Sequence, residues 1–598
     1  MTEKMVEVKP KLIKKPYCEK DNIEHNLKDY EEARKTFRWE DVHKNFSWNE
    51  TGKVNMAYEC IDRHCENGIA DKTALIYDSD EGTEKYTYDD LRRLSNKFAN
   101  VLRKYGIKKG DRVFIFMPRS PEMYIAILGI LKIGAIPGPL FEAFMGEAVK
   151  DRMLDSQAVM LITTPELRQR VPVNDLPDLK NIIYVLADKE SKQDYRHEAD
   201  ADIRDDIKLI NYHAEMDVAS EDAEIEWLGL DDPLILHYTS GSTGKPKGVL
   251  HVQRAMVGHY QTGLWVLDLK PDDVYWCTAD PGWVTGTSYG IFAPFLLGVT
   301  NVLKGGRFDV DKWYKCIQEH KVTVWYSAPT AFRLLMARGQ GREKNYDLSS
   351  LRAIYSVGEP LNPEVIWWGL DAYGVPIHDT WWMTETGHQL ICNYQCMPIK
   401  PGSMGKPIPG VDATILDDNG KEVGPNVIGN LVIKKGWPGM MQQIWNNPEK
   451  YKSYFEFDPW YMSGDSAYVD EDGYFFFEGR IDDVIKTSGE RVGPFEVESA
   501  LIEHPAVAEA GVIGKPDPIR GQIIKAFVSL NPGVEGTEEL KKEIMDFVKT
   551  HLAAHAKPRE IEFVDKLPKT RSGKIMRRVL KARELGLPTG DLSTIADD

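Results

Sequence analysis

Cysteine is scarce in this chain, with seven in 598 residues at Cys18, Cys60, Cys65, Cys277, Cys316, Cys392 and Cys396. The set is odd in number and scattered, without paired C-x-x-C spacing, which argues against a disulfide scaffold or a zinc ribbon and predicts reduced, mostly buried thiols. Long apolar runs are absent as well: the longest, residues 125–141, is broken by Lys132, Pro137 and Pro139, whereas a membrane span needs roughly 20 apolar residues. Met1 to Tyr17 is charged throughout and has no apolar centre, unlike a secretory signal or an anchor. A cytoplasmic protein without a membrane partner is therefore expected. Basic charge is in deficit, 75 Lys and Arg against 92 Asp and Glu, for a net charge of −17. Such a surface repels a phosphate backbone, and no basic stripe interleaved with aromatics stands out, so no nucleic-acid partner is expected. Sequence repeats are lacking too; the 48 Gly and 34 Pro are spread along the chain. What is left, 42% hydrophobic and 28% charged residues, is ordinary globular composition, and the length implies more than one domain.

Against that background one stretch resembles packing least: Thr239-Ser240-Gly241-Ser242-Thr243-Gly244-Lys245-Pro246-Lys247-Gly248. Three glycines free the backbone to turn N–H groups into one concavity, four hydroxyls add donors, and Lys245 and Lys247 add charge, a combination suited to phosphate. Apolar runs at 234–236 and 249–252 predict a strand on either side. A polar surface turn is the plain alternative. A Walker loop does not fit, because Thr239 stands where its first Gly belongs and Pro246 where its hydroxyl belongs. On a chain this acidic, any anion site must be locally positive, which makes these lysines informative.

The rest of the chain alternates strand and helix patterns. Residues 1–50 read as an extension anchored by Trp39, Phe46 and Trp48. Thr87 to Asp90 reads as a helix cap ahead of Leu91, Leu94, Phe98, Val101 and Leu102 at helical spacing. Arg112 to Met117 is a strand candidate, Ile125 to Ile133 a helix candidate, and strands repeat near 159–163 and 182–185, which predicts an α/β body with a largely parallel sheet. Asp188 to Glu226 reads as a charged connector without periodicity. Gly-bearing turns at Asp280 to Gly286 and Ser356 to Pro360, and the two-indole stretch Asp379 to Gly387, follow apolar runs; open α/β sheets place ligands at such strand ends. After about residue 482 a smaller α+β pattern begins, with strands near 510–513 and 525–530 and a helix through Leu540, Ile544, Phe547, Val548 and Leu552.

The motifs TSGSTGKPKG, GEP, DTWWMTETG, YMSGD, GRIDD and PKTRSGK, in this order and over nearly the whole chain, resemble the AMP-forming acyl-CoA synthetases of the adenylate-forming superfamily. GWVTG with SVGEP and DTWW is most similar to the acetate-taking members, with Trp382 the deciding residue. The resemblance implies an α/β fold: a large N-terminal body of two α/β subdomains and a small β-barrel, spanning 51–481 behind the extension 1–50, and a small mobile α+β domain, 482–598. It implies that acetate, ATP and CoA become acetyl-CoA, AMP and pyrophosphate through an acetyl-adenylate, with Mg2+ accompanying ATP.

The same resemblance assigns roles. Lys574 would bridge carboxylate and α-phosphate. The loop from Thr239 to Lys247, with Ser240, Gly241, Ser242, Thr243, Gly244 and Lys245, would hold the β- and γ-phosphates. Adenine would lie against Gly358, Glu359 and Pro360 and the stretch Asp379, Thr380, Trp381, Trp382, Met383, Thr384, with Glu385 completing the nucleotide site. Asp465 would accept the ribose hydroxyls, and Arg480 and Arg491 would contact ribose or phosphate. Val284, Thr285, Val357 and Trp382 would form the acyl pocket. Asp482 would be the hinge of the mobile domain. Thr285, Ser488, Gly489, Lys549 and the pair Arg168 and Arg170 would bind CoA, and backbone carbonyls at Ile502, His504 and Val507 would form a metal site. Met383 departs from the family, where acetate-taking members commonly carry Gln. A lysine acetyltransferase and deacetylase acting on Lys574 are implied partners. Two alternatives stay open at this stage: a ligase for propionate or another short acid, and a nucleotide-binding scaffold without turnover.

Overall fold

The computed structural model describes residues 12–14, 23–191, 193, 195–201, 203–240, 246–339, 341–487, 490–518, 520–570, 575–589 and 595, with backbone alone at 240, 486, 490 and 491. Most of the short apolar runs become strands here because they are flanked by polar turns and buried on both faces. The strands Ile136–Pro139, Arg112–Phe116, Met160–Thr163, Asn181–Tyr184 and Lys208–Asn211 lie side by side in that order, all parallel. Parallel neighbours need crossovers, and helices such as Pro121–Lys132 and Gly146–Ser156 supply them. The helix Tyr88–Lys104 starts at the expected cap: Thr87 Oγ1 accepts from the Asp90 N–H at 3.0 Å, and Asp90 accepts from the Thr87 N–H at 2.9 Å.

The stretch read as a featureless connector, Asp188 to Glu226, is not one. It contains the fifth strand, Lys208–Asn211, and the helix Tyr212–Val218, which Asn211 caps by accepting from the N–H groups of His213 and Ala214. Four strand residues beside a seven-residue helix are too short for either period to emerge among charges. Burial of Ile207, Ile210, Tyr212 and Met216 decides the matter instead.

A second sheet has thirteen strands. Its parallel part runs Ile377–Trp381, Ala353–Val357, Val324–Ser327, Val274–Cys277, Thr300–Lys304 and Thr73–Ser79, with Gly82–Thr87 antiparallel at the edge. The third, all-β part of the body continues from the other side through Ile391–Cys392 and Ser403–Pro407 into the antiparallel strands Phe475–Arg480, Trp460–Val469, Gly429–Lys434 and Ala413–Leu416. The N-terminal segment lies on this part. Tyr30 donates to the Pro407 carbonyl at 2.7 Å and Trp39 Nε1 to the Gly410 carbonyl at 3.0 Å, while Phe46 and Trp48 are buried.

Chain crossing from the large sheet to a separate small one occurs between Arg480 and Ile485. The small sheet, Glu490–Val492, Ile485–Thr487, Gly521–Leu530 and Val507–Asp517 with Glu560–Phe563 alongside, packs with the helices Pro494–Ile502 and Glu538–His551 around its own core of Val497, Leu501, Val512, Ile524, Ile544 and Val548. It touches the body through the Asn362 Nδ2 donation to Ser499 Oγ at 2.9 Å and the Phe477 and Phe495 rings, 6.2 Å apart. No helix among the described residues is long and apolar enough to cross a membrane.

Within the body lies a buried charge pair between Lys132 and Asp62. Lys132 has no exposed side-chain surface; its Nζ lies 2.9 Å from Asp62 and donates to Asn96 Oδ1 at 2.6 Å. Burial pushes the Asp62 carboxyl above its ordinary range, and the Lys132 ammonium offsets only part of that rise. Removing one partner of a buried pair costs about 3–5 kcal/mol, because the other charge is stranded. Lys132→Met is accordingly expected to lower the melting temperature by several degrees, and Lys132→Met with Asp62→Leu to recover at least half of the loss. A double variant no more stable than the single one would show that the pair matters for its packing and not for its charge.

Candidate functional site

Four parallel strands of the large sheet end on one edge, at Cys277, Ser327, Val357 and Trp381, and three of the Gly-bearing motifs begin there. This carboxyl edge is where open α/β sheets bind ligands, since side chains from several strands converge without closing the crevice. At Gly286 a Cβ would stand 2.2 Å from the Asp280 carbonyl, so the Asp280 turn can close this tightly only with glycine.

The flanking strands of the phosphate loop form an antiparallel hairpin, Pro233–Ser240 with Pro246–Val252. Gly241, Ser242, Thr243, Gly244 and Lys245 lie outside the described residues. At the hairpin's end Thr239 Oγ1 is buried with no hydrogen-bond partner among the described residues. Lys247 Nζ donates to Tyr454 OH at 3.0 Å, and Tyr454 donates to Glu385 Oε1 at 3.1 Å. One phenol thus links the lysine of the loop to a carboxylate beyond the parallel strands. Burial pushes the Lys247 ammonium down from its ordinary range, and Glu385 pulls it back.

The stretch after the sheet edge meets the antiparallel strands at Asp465. Trp381 Nε1 donates to Asp465 Oδ2 at 2.8 Å and Arg480 to Asp465 Oδ1 at 2.7 Å. Three residues singled out in the sequence, 84 positions apart at most in these bonds, are brought into direct contact. Nearby, Gly358 takes a positive φ of 88° and leads into Glu359, which accepts from Thr330 Oγ1 at 2.7 Å and Arg333 at 2.6 Å; Pro360 follows, partly exposed. The Met383 N–H donates to Thr386 Oγ1 at 2.9 Å, its sulfur lies 3.8 Å from Tyr461 OH, and the Thr384 carbonyl accepts from His251 Nε2 at 2.8 Å. Asp379 is buried and accepts from Ser356 Oγ at 2.6 Å; burial pushes its carboxyl up to about 7.

Val284, Val357 and Trp382 belong to one buried cluster, with Thr285 half-buried in the first turn of Val284–Thr287. Trp382 Nε1 donates to Tyr326 OH at 3.2 Å, and the Tyr289 ring meets the indole edge-on at 5.1 Å. Tyr289, Tyr326 and Gln389 were not singled out in the sequence. They carry no motif; the one available signal is that Val324-Trp325-Tyr326-Ser327 ends an apolar strand in a polar aromatic.

One CoA assignment comes out differently. Arg168 is 2% exposed, 2.6 Å from Asp200 Oδ1, and donates to the Val171 carbonyl, so its guanidinium is committed inside the body and does not fit a contact with CoA phosphate. Its commitment follows from burial, since an enclosed guanidinium needs a carboxylate. Arg170 is half-buried and donates to the Glu142 carbonyl at 3.0 Å, and Lys549 is exposed on the helix Glu538–His551 of the small unit. Asp482 is exposed in the turn that joins the two sheets. Of the three carbonyls assigned to a metal, that of His504 accepts from the Val507 N–H at 2.9 Å, that of Val507 lies 3.4 Å from Asn531 Nδ2, and Ile502 ends the helix Pro494–Ile502. A different group, Asp78, Cys316 and His320, gathers one potential ligand atom each within 4.8 Å, but Lys304 Nζ lies 3.1 Å from Asp78 and already supplies a cation there. Ser488, Gly489, Lys574 and the Arg491 side chain lie outside the described residues. Beside Lys574, Lys569 and Ile575 pair as an antiparallel bridge, and Arg577 Nε donates to Glu498 Oε1 at 2.8 Å, so both flanks of 571–574 sit on the small unit.

Comparison with known proteins adds to this geometry. Residues 61–445 match the family described as AMP-binding enzyme, and residues 496–574 match the AMP-binding enzyme C-terminal domain. The chain is 62% identical to the acetyl-coenzyme A synthetase of Bacillus subtilis (strain 168), over 96% of this chain and 98% of that one. It is 42% identical to the acetyl-coenzyme A synthetase of Methanothrix soehngenii, over 97% and 90%. Among solved structures it resembles an acyl-CoA synthetase of Brucella canis, with TM-score 0.72 and 37% identity over 94% of this chain and 99% of that one. It also resembles an anthranilate CoA ligase in complex with anthranoyl-AMP, with TM-score 0.80 and 30% identity over 90% and 98%.

The buried carboxyl of Asp379 has a consequence for stability. Between its ordinary value of 3.8 and about 7 the folded chain holds a proton that the unfolded chain has released. Stability therefore falls as pH rises through that window, by on the order of 4 kcal/mol at most. Asp379→Asn, which stays neutral, is expected to be more stable than the parent at pH 8 and to lose that advantage as pH falls toward 4. Denaturation curves for both proteins across this range check it; a pH-independent difference would mean that Asp379 is ionised when folded.

Proposed function

This chain belongs to the AMP-binding enzyme family, as an AMP-forming ligase of the acetyl-CoA synthetase kind, and on that premise we propose how its residues divide the work. It joins acetate to CoA with ATP, through an acetyl-adenylate, releasing AMP and pyrophosphate. The observation that supports the assignment of roles best is the contact of Trp381, Asp465 and Arg480 at the sheet edge, with Trp382 enclosed next to it.

In the first half-reaction a carboxylate attacks the α-phosphate of MgATP. Like charges ~4 Å apart repel by about 4 kcal/mol at an effective dielectric near 20, so a cation must stand between them. Lys574 takes that position, and charge that builds on the α-phosphate in the transition state meets its ammonium. Thr239 to Lys247 hold the β- and γ-phosphates; the Thr239 hydroxyl, without a partner among the described residues, and the Lys247 ammonium fit an anion there. Asp465 takes the ribose hydroxyls with its carboxylate oriented by Trp381 and Arg480, and Arg491 reaches ribose or phosphate. Glu359 and the stretch from Asp379 to Glu385 wall the adenine. In the second half-reaction the small unit turns about Asp482, withdrawing Lys574 and bringing Ser488 and Gly489 to the thiol of CoA, so one pocket serves two steps. Arg170, Thr285 and Lys549 are the CoA contacts that the geometry leaves open. A cytoplasmic setting and reversible acetylation of Lys574 by an acetyltransferase and a deacetylase complete the proposal, because acetylation would remove the charge that adenylation needs.

Two variants test this. Lys574→Ala is expected to slow acetyl-adenylate formation by about 10²–10³-fold, the usual loss of one transition-state contact, while supplied acetyl-AMP still reacts with CoA at near the parental rate. Equal losses in both half-reactions of a folded variant would remove the role given to Lys574. Trp382→Gly is expected to open the acyl pocket: each methylene accommodated is worth about 1–3 kcal/mol, or 10–200-fold. Ratios of kcat/KM for acetate, propionate, butyrate and hexanoate should shift toward the longer acids, and an unchanged order would refute the pocket reading.

A further inference from the structure

Behind the Trp382 indole stands a hydroxyl whose hydrogen bonds have one consistent direction. Thr380 Oγ1 donates to the Ser356 carbonyl at 2.7 Å, which spends the single Thr380 proton. The 2.8 Å contact between Tyr326 OH and Thr380 Oγ1 must then be a donation from Tyr326. With its proton spent in turn, the Tyr326 oxygen accepts on its two lone pairs, from Trp382 Nε1 at 3.2 Å and from Gln389 Nε2 at 3.0 Å. The phenol is saturated, and it has no exposed surface, as is also true of Gln389. Tyr289 presses the indole edge-on at 5.1 Å, and its own hydroxyl accepts from the Gln389 N–H at 2.8 Å. Burial pushes the Tyr326 hydroxyl well above its ordinary range, so it stays a donor at any working pH.

A ring held by packing alone can tilt into free space when a longer ligand presses on it. A ring whose N–H is bonded to an enclosed acceptor cannot tilt without stranding a buried donor. We propose that Tyr326 is a positioning residue that holds the Trp382 indole in place, so that rejection of acids longer than acetate depends on the Tyr326 hydroxyl as well as on the bulk of Trp382. This rests on the reading of Trp382 as the end of the acyl pocket. Because Tyr326 also bonds Thr380 and, through it, the Ser356 carbonyl next to Val357, the same hydroxyl sets the acyl wall in register with the stretch assigned to adenine.

The test is kcat/KM for acetate and butyrate on the full-length enzyme. Tyr326→Phe removes one oxygen and keeps the ring; the acetate-to-butyrate ratio is expected to fall about tenfold, the scale of one stranded buried donor, with the KM for acetate rising more than that for ATP. In a Trp382→Phe background, which has no N–H to hold, adding Tyr326→Phe is expected to change the ratio by less than twofold. Gln389→Met, which removes the other donor and leaves the Trp382 bond, is expected to lower the melting temperature yet keep the ratio. An unchanged ratio in Tyr326→Phe, or an equal shift in Gln389→Met, would overturn the inference. Should Tyr326→Phe fail to fold, Thr380→Val frees the phenol proton while keeping both rings, and a fall in the ratio of about threefold or more is required of it. If Trp382→Gly leaves chain-length order unchanged, the pocket reading itself has failed; if Trp382→Gly admits butyrate and Tyr326→Phe keeps the parental ratio, the inference alone has failed.

Discussion

The bond from the Trp381 indole to Asp465, 2.8 Å long, joins the two halves of the large sheet at the point where the ligand edge lies. Trp381 closes a parallel strand that is covered on both faces, whereas Asp465 sits in an antiparallel strand far along the chain. A buried carboxylate is expensive unless its oxygens are used, and here one oxygen is taken by the indole and the other by Arg480. The position of the antiparallel strands relative to the parallel ones is thereby tied to the same atoms that are assigned to ribose. Movement of one half against the other would break a charge-assisted bond at the site before it disturbed the core.

Enclosed polar groups recur around this edge, and each is bound in a different way. Asp379 is pushed toward its neutral form by burial against the opposing pull of one serine hydroxyl, Glu385 is reached by Lys247 through Tyr454, and Tyr326 is saturated by three neighbours, Thr380, Trp382 and Gln389. Such networks cost stability if any member is lost and reward it only when every member is satisfied. That condition favours a rigid floor under a site whose chemistry needs two anions placed within a few ångströms. The small unit has its own core, separate from this floor.

Much of the architecture was legible in the sequence because its signals are local. The cap at Thr87 and the strands on either side of the phosphate loop depend on spacing within a few residues, and the structure has them where the spacing implies. The fifth parallel strand, Lys208–Asn211, was not legible, because four residues cannot display a period and only contact with Asn181–Tyr184 makes them a strand. Arg168 illustrates the converse: as a charged residue near a second arginine it resembled a phosphate ligand, and only the fold reveals Asp200 facing it from 32 residues further on.

By itself, then, the sequence determined the order of motifs, the family they belong to and the chemical types proposed for the site: hydroxyls and lysines for phosphate, a carboxylate for ribose, an indole for the acyl end. These follow from residue type and near spacing, which need no fold to be read. Which of those groups touch was decided by tertiary structure alone. Trp381 with Asp465, Lys247 with Glu385 through Tyr454, and Trp382 with Tyr326 are 84, 138 and 56 positions apart, the first and last as direct bonds and the second through one phenol. The physical reason is that a buried donor must find an acceptor wherever the packing of sheets and helices brings one, and no local pattern encodes that partner.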